Sequence, residues 1–190
     1  MMSRFKYLFL LLALGMSSLS GCGSKETGTE EASSSKPASS TEMTSREATS
    51  TKFVWRSLDE GLRFAGQSNQ PLYVFIKSKR CPWCQKMETE TLTDPEVKQA
   101  LSKLVPVVLQ GDSRRTVSYK GRSYSEAQLV REVFRVRGFP TSIFMEPNGD
   151  IIGGLPGYLQ PKQMVVITNY VGEGHYKNRS FEDYMKEAGS

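Results

Sequence analysis

Residues 52–190 are predicted to form an α/β domain, a central mixed β-sheet flanked by helices, and three observations predict it. Short apolar runs rich in β-branched residues recur through the chain and read as buried strands: LYVFIK (72–77), VPVVLQ (105–110) and TSIFM (141–145). Segments with apolar residues at helical spacing separate these runs. A Pro147-Asn148-Gly149 turn joins the third run to DIIGGL (150–155) as a hairpin. Strands alternating with helices imply parallel pairing and helices on both faces, and the hairpin adds an antiparallel edge.

In chain order the first element is a helix. Ser57 followed by Glu60 is a capping-box signature, Leu58, Leu62 and Ala65 share one face, and Pro71 ends the segment. After the strand 72–77, CPWCQKMETETL (81–92) consists of helix formers with two cysteines at its front. Asp94 then caps a helix with Pro95 at its first position, running to about Leu104. Beyond the strand 105–110, GDSRRTVSYKGRSYS (111–125) is polar and reads as a loop. Its basic run, Arg114, Arg115, Lys120 and Arg122, is either a solvated face or a docking patch for an acidic partner that salt would weaken. From Ser125 to near Gly138 a helix carries Leu129, Val130, Val133 and Phe134 on one face. The hairpin follows, then a helix opened by Pro161 and closed by Gly172, and a short last helix beginning at Ser180. Leu129, Val133, Val165 and Ile167 are expected in the core.

The amino-terminal segment is of another kind. MMSRFKYLFLLLALGMSSLS carries Arg4 and Lys6, an apolar run from Tyr7 to about Met16, and then small residues. That is the pattern of a secretory signal, and the run is shorter than the roughly 20 residues a spanning helix needs. Leu19-Ser20-Gly21-Cys22 resembles the lipobox of bacterial lipoproteins. The resemblance implies removal of residues 1–21, acylation of Cys22 and a membrane anchor of two or three chains, enough for stable attachment. The alternative is an ordinary signal that leaves a free thiol at Cys22. Residues 22–51 are rich in Ser, Thr, Glu and Lys and cannot bury enough surface to fold. They form a tether reaching roughly 30 Å by random-coil scaling. Without the leader, 25 Lys and Arg become 23 against 20 Asp and Glu, so the formal charge falls from +5 to +3. A modest charge on an exported chain excludes nucleic acid as a partner. The domain is expected in the cell envelope, lipid-anchored and facing the periplasm or extracytoplasmic space.

With Cys22 assigned to lipid, Cys81 and Cys84 remain, three apart in an oxidising setting. Such a pair is half a zinc site, a structural disulfide or a redox dithiol. Zinc takes about four ligands. The single histidine, His175, lies far along the chain and reads as a surface residue near a helix end, so no metal site is expected. A structural bridge closing so short a loop stabilises little. The redox reading has a physical basis, because the nucleophile in disulfide exchange is the thiolate and a helix start favours an anion. A preference of about 1–2 kcal/mol lowers the Cys81 pKa by roughly one unit. Lys77, Lys79 and Arg80 add to it. Cys81 is then the attacking sulfur, and Cys84, one turn below, resolves the mixed disulfide. Pro82 suits the first turn, where its missing N–H costs little. Trp83 either presents a flat apolar surface to substrate beside the reacting sulfur or packs partly buried.

Residues 53–187 resemble periplasmic thioredoxin-like proteins, through Cys81-Pro82-Trp83-Cys84 and Gly138-Phe139-Pro140-Thr141. CQKMETETLTDPEVKQAL (84–101) resembles the segment after the active site in the C-terminal thioredoxin domain of DsbD. LPGYLQPKQMVVITNYVGEGHYKNRSFEDYM (155–185) resembles the SoxW group, linked to bacterial sulfur oxidation. The resemblance implies a thioredoxin-like fold, with a cis Pro140 packed against the disulfide and the Phe139 backbone pairing with the substrate chain. It implies a redox-active Cys81–Cys84 disulfide with no other cofactor. An integral-membrane donor of CcdA or DsbD type keeps the pair reduced, and oxidised exported proteins receive the electrons. Two positions depart from the family pattern. Thioredoxins usually carry a buried acid six residues before the first cysteine, where this chain has Phe75, and Trp just before that cysteine, where it has Arg80. Loss of the acid slows release of the mixed disulfide, and Arg80 favours the thiolate, which makes the pair more oxidising. The rival functions are a disulfide oxidase or isomerase of DsbA or DsbC type, and a non-catalytic binding module.

Overall fold

The computed structural model describes residues 53–188; the signal segment 1–21, Cys22 and the tether 22–51 lie outside the described residues. The described chain is α1 (Leu58–Ser68), β1 (Leu72–Lys77), α2 (Pro82–Lys86), α3 (Pro95–Leu101), β2 (Val105–Gln110), β3 (Thr116–Tyr119), β4 (Arg122–Ser125), α4 (Glu126–Gln128), β5 (Thr141–Met145), β6 (Ile151–Pro156), α5 (Pro161–Gly172) and α6 (Phe181–Ala188). Wider π-helical turns over Met87–Thr91 and Leu129–Val133 extend α2 and α4.

The local signals act as expected at the helix starts. Ser57 and Glu60 close a reciprocal capping box, and the Asp94 carboxylate accepts the Glu96 and Val97 N–H groups at 2.9 and 3.1 Å. Ser180 caps the last helix by accepting the Asp183 N–H at 3.1 Å.

Four strands form one sheet in the order β2-β1-β5-β6. Side chains alternate along β1. Leu72, Val74 and Ile76 pack with α1, β2 and the Leu129–Phe134 segment on one face, while Tyr73 and Phe75 pack with α2, α3 and α5 on the other. Both faces are covered, which is why the strand runs are continuously apolar.

Three expectations need correction. First, β1 and β2 pair in parallel, but β5 is antiparallel to β1 as well as to β6, so antiparallel pairing is not confined to the edge hairpin. The connection from β2 returns to the same end of the sheet, and Thr141 at the start of β5 pairs with Ile76 near the end of β1. Second, 111–125 is not a plain loop, because β3 and β4 form a separate two-stranded sheet. Val117 and Tyr119 turn inward between exposed Thr116 and Ser118, and Lys120 and Gly121 both take positive φ in a two-residue turn. Third, the helix from Ser125 ends at Phe134 rather than near Gly138. Arg135 takes a left-handed φ of 55°, and the Val136 N–H closes on Val130 O at 3.0 Å. Within the basic run, Arg115 pairs with Glu126 and Lys120 with Asp150.

Candidate active site around Cys81 and Cys84

The antiparallel entry of β5 brings two loops to one end of the sheet. One leaves β1 through Ser78-Lys79-Arg80 to Cys81, and the other reaches β5 through Phe139-Pro140. The Lys79 N–H donates to Asp112 Oδ2 at 3.0 Å and the Gly111 N–H to Lys77 O at 2.8 Å, tying the cysteine loop to the end of β2.

Cys81 is the N-cap of α2, with extended backbone, and Pro82 fills the first helical position. The two sulfurs are joined in a disulfide with Cα atoms 5.2 Å apart. Cys81 is 7 % exposed and Cys84 1 %, so the first cysteine is the more accessible. The Cys84 N–H points at Cys81 Sγ at 3.0 Å, while Cys81 O accepts the Gln85 N–H at 3.1 Å.

The Phe139–Pro140 peptide is cis, and Pro140 O accepts the Gly157 N–H at 2.8 Å. Phe139 is half-buried and packs against both faces of the core, including the cluster that holds the cysteines. Trp83 is 57 % exposed. His175 lies in a short turn between Glu173 and Arg179, at 3.0 and 3.1 Å from their side chains. Among the described residues, no three His, Cys, Asp or Glu side chains gather as metal ligands.

A group of residues beside Trp83 escaped the sequence reading. The Tyr158 ring lies 6.0 Å from Trp83, and Lys86 Nζ sits over both rings at 5.4 and 5.0 Å. The Tyr158 hydroxyl donates to Glu90 at 2.9 Å, and Glu90 also pairs with Lys86. Tyr158 and Glu90 are 68 residues apart, and neither carries a local motif, so only the fold joins them. The arrangement holds the Trp83 ring through stacking and cation–π attraction.

Position 75 is occupied by a buried apolar ring. Phe75 is 1 % exposed, packs in the cysteine cluster and lies 6.0 Å from the Trp55 ring. Burial pushes the neighbouring Tyr73 phenol well above its ordinary pKa, opposed by its hydrogen bond with Ser142, so it stays neutral.

Comparison with known proteins places this geometry. The thioredoxin-like domain family matches residues 58–172. The disulfide bond reductase DsbH of Chlamydia pneumoniae is 26 % identical over 96 residues, 50 % of this chain and 57 % of that protein. The chain thus spans a little over half the length of that relative. A thioredoxin-fold protein from Helicobacter pylori superposes with a TM-score of 0.53 at 17 % identity, covering 64 % of this chain and 81 % of the other. A DsbH oxidoreductase structure superposes with a TM-score of 0.50 at 17 % identity, covering 72 % and 96 %. The family match over most of the folded region, the shared fold, and a bonded cysteine pair at a helix start lead to one assignment: the chain belongs to the thioredoxin-like domain family.

Proposed function

We propose that this protein is a membrane-tethered, extracytoplasmic disulfide reductase acting on exported proteins. The observation that carries the reading is the Cys81–Cys84 disulfide at the start of α2, with the more accessible cysteine at the cap. The reductase named DsbH supports the direction of electron flow. The lipobox-like Leu19-Ser20-Gly21-Cys22 supports an acylated Cys22, a tether over 22–51 and a place in the cell envelope.

In the reduced protein the Cys81 thiolate attacks one sulfur of a substrate disulfide. A mixed disulfide forms, and the other substrate sulfur leaves as a thiolate and takes a proton from water. Cys84 then loses its proton and attacks Cys81 Sγ, which restores the intramolecular disulfide and releases the second substrate thiol. Two electrons pass to the substrate. A membrane donor of CcdA or DsbD type returns them by the same exchange in reverse. Phe139 and Pro140 line the substrate side, with the Phe139 backbone pairing to the substrate chain.

Trp83 supplies an apolar surface for that chain. Trp83→Ala is expected to lower kcat/KM on a protein disulfide by up to about tenfold, in line with about 0.5–1.5 kcal/mol for an aromatic contact. Because the ring is exposed, the melting temperature stays within about 2 °C. Thermal unfolding and insulin-type reduction assays on the same sample separate the two effects.

A second reading, a disulfide donor of DsbA type, draws on Arg80 and Phe75. An exposed guanidinium beside Cys81 favours the thiolate and so the reduced form. The reduction potential decides between them. Equilibration against defined thiol buffers is expected to give a value near that of thioredoxin, about −270 mV. A value near about −120 mV, that of DsbA, overturns the reductase reading.

A further inference from the structure

The basic groove beside Phe139 has no part in the chemistry above. Its cavity, of about 600 Å³, lies between Gly111 at the end of β2 and the segment running from Val130 to Phe139. Three arginines line it, Arg131, Arg135 and Arg137, all exposed. No acidic side chain among the described residues pairs with any of them. By contrast, Arg115 and Lys120, from the run that looked basic in the sequence, are each held by a carboxylate. One acid, Glu132, shares the lining, and Asp112 stands beside Gly111 with one oxygen occupied by the Lys79 N–H. The balance of the groove remains positive, and exposed Lys79 and Arg80 continue it toward Cys81.

The backbone adds an independent observation. Arg135 occupies the left-handed position after a helix end, at φ 55°, where glycine is the usual residue. A large side chain there is conformationally unfavourable. The groove also joins the candidate site directly: Gly111 is bonded to Lys77, four residues before Cys81, and Phe139 precedes the cis proline.

We propose that Arg131, Arg135 and Arg137 form a docking surface for an acidic stretch of the polypeptide whose disulfide is reduced. The proposal rests on the reductase reading and deepens it, since it assigns the substrate an acidic flank beside its reacting cysteine. A polypeptide fits better than a lipid surface because the groove is concave and opens onto the loop that meets the substrate chain. Clefts lined by charge of one sign raise encounter rates about 10- to 1,000-fold, and salt removes the effect.

The test compares three disulfide-linked peptides with one core sequence and acidic, neutral or lysine flanks. They are reduced by the full chain held in phosphatidylcholine vesicles. At low ionic strength the acidic peptide is expected to react about tenfold faster than the lysine peptide, a gap that closes to about twofold at 1 M salt. The combined change Arg131→Gln, Arg135→Gln and Arg137→Gln is expected to abolish the preference while leaving the neutral peptide's rate unchanged. Arg135→Gly is expected to lower the preference without lowering the melting temperature, because glycine suits the left-handed backbone. Equal rates for all three peptides with the native chain overturn the docking surface but leave the reductase reading standing. Reduction of none of them overturns the reductase reading itself. Equal rates joined to an arginine-dependent tryptophan fluorescence change on adding phosphatidylglycerol assign the arginines to lipid and also overturn the proposal.

Discussion

Replacing Cys84 with alanine is expected to stop turnover halfway, with substrate trapped on Cys81 as a mixed disulfide. Steady-state reduction falls by on the order of 10³-fold or more, the scale on which loss of a covalent participant acts. Cys81→Ser is expected to lose activity to the same extent and to trap nothing. The asymmetry follows from access: Cys81 caps the helix and is the more open cysteine, while Cys84 is enclosed one turn below it. Unfolding does not account for either loss. Opening a ring this short costs at most about 2 kcal/mol, against about 5–15 kcal/mol for a typical domain. Non-reducing electrophoresis of the Cys84→Ala protein with a disulfide substrate reads the trapped species directly. Trapping through Cys84 in a Cys81→Ser protein reverses the assigned roles. Full biological activity of Cys81→Ser would instead favour a binding module that makes no use of the thiols.

Much of this architecture is legible in the chain because its strands are covered on both faces. Runs such as LYVFIK have no polar side to confuse with a surface, and the Ser57, Asp94 and Pro161 signals mark where helices start. Strand direction is another matter. Nothing in TSIFM records that β5 runs against β1, since direction depends on where the connection from β2 returns. The β3–β4 hairpin was hidden because polar residues dominate its composition, with Lys120 and Arg122 inside it and Arg114 and Arg115 just before it. Only Val117, Tyr119 and the half-buried Tyr124 turn inward there, and its Lys120-Gly121 turn lacks the usual Asn or Asp. The same divide holds at the site. The cysteine pair stands in one local motif, and the cis bond at Pro140 came from family resemblance. The Tyr158–Lys86–Glu90 support of Trp83 and the arginine groove draw on segments that meet only after folding.

Phe75→Asp, which restores the acid that thioredoxins usually carry at this place, is expected to destabilise the domain severely rather than improve it. Removing a buried phenylalanine ring costs about 3–5 kcal/mol. Burying a carboxyl without a partner adds about 1–3 kcal/mol or more. Together these approach the whole stability of a typical domain. The surroundings are built for a ring: Phe75 lies in the cluster of Cys81, Cys84 and Met87, with Trp55 beside it, and the nearby Tyr73 is kept neutral by burial. Desolvation raises the folded-state pKa of the introduced carboxyl above its unfolded value of about 3.9. Between those two values the folded chain binds more protons than the unfolded chain, so stability falls as pH rises. The variant is therefore expected to melt higher at pH 4 than at pH 8 relative to the native chain at each pH. Phe75→Leu, which keeps the site apolar, is expected to cost only about 1–2 kcal/mol and to show no such slope. A Phe75→Asp protein that melts within a few degrees of native at both pH values would mean that water reaches this position. Because Phe75 carries no ionisable group, the proton on Cys84 leaves the native chain by another route, and an added external base is expected to accelerate resolution of the mixed disulfide.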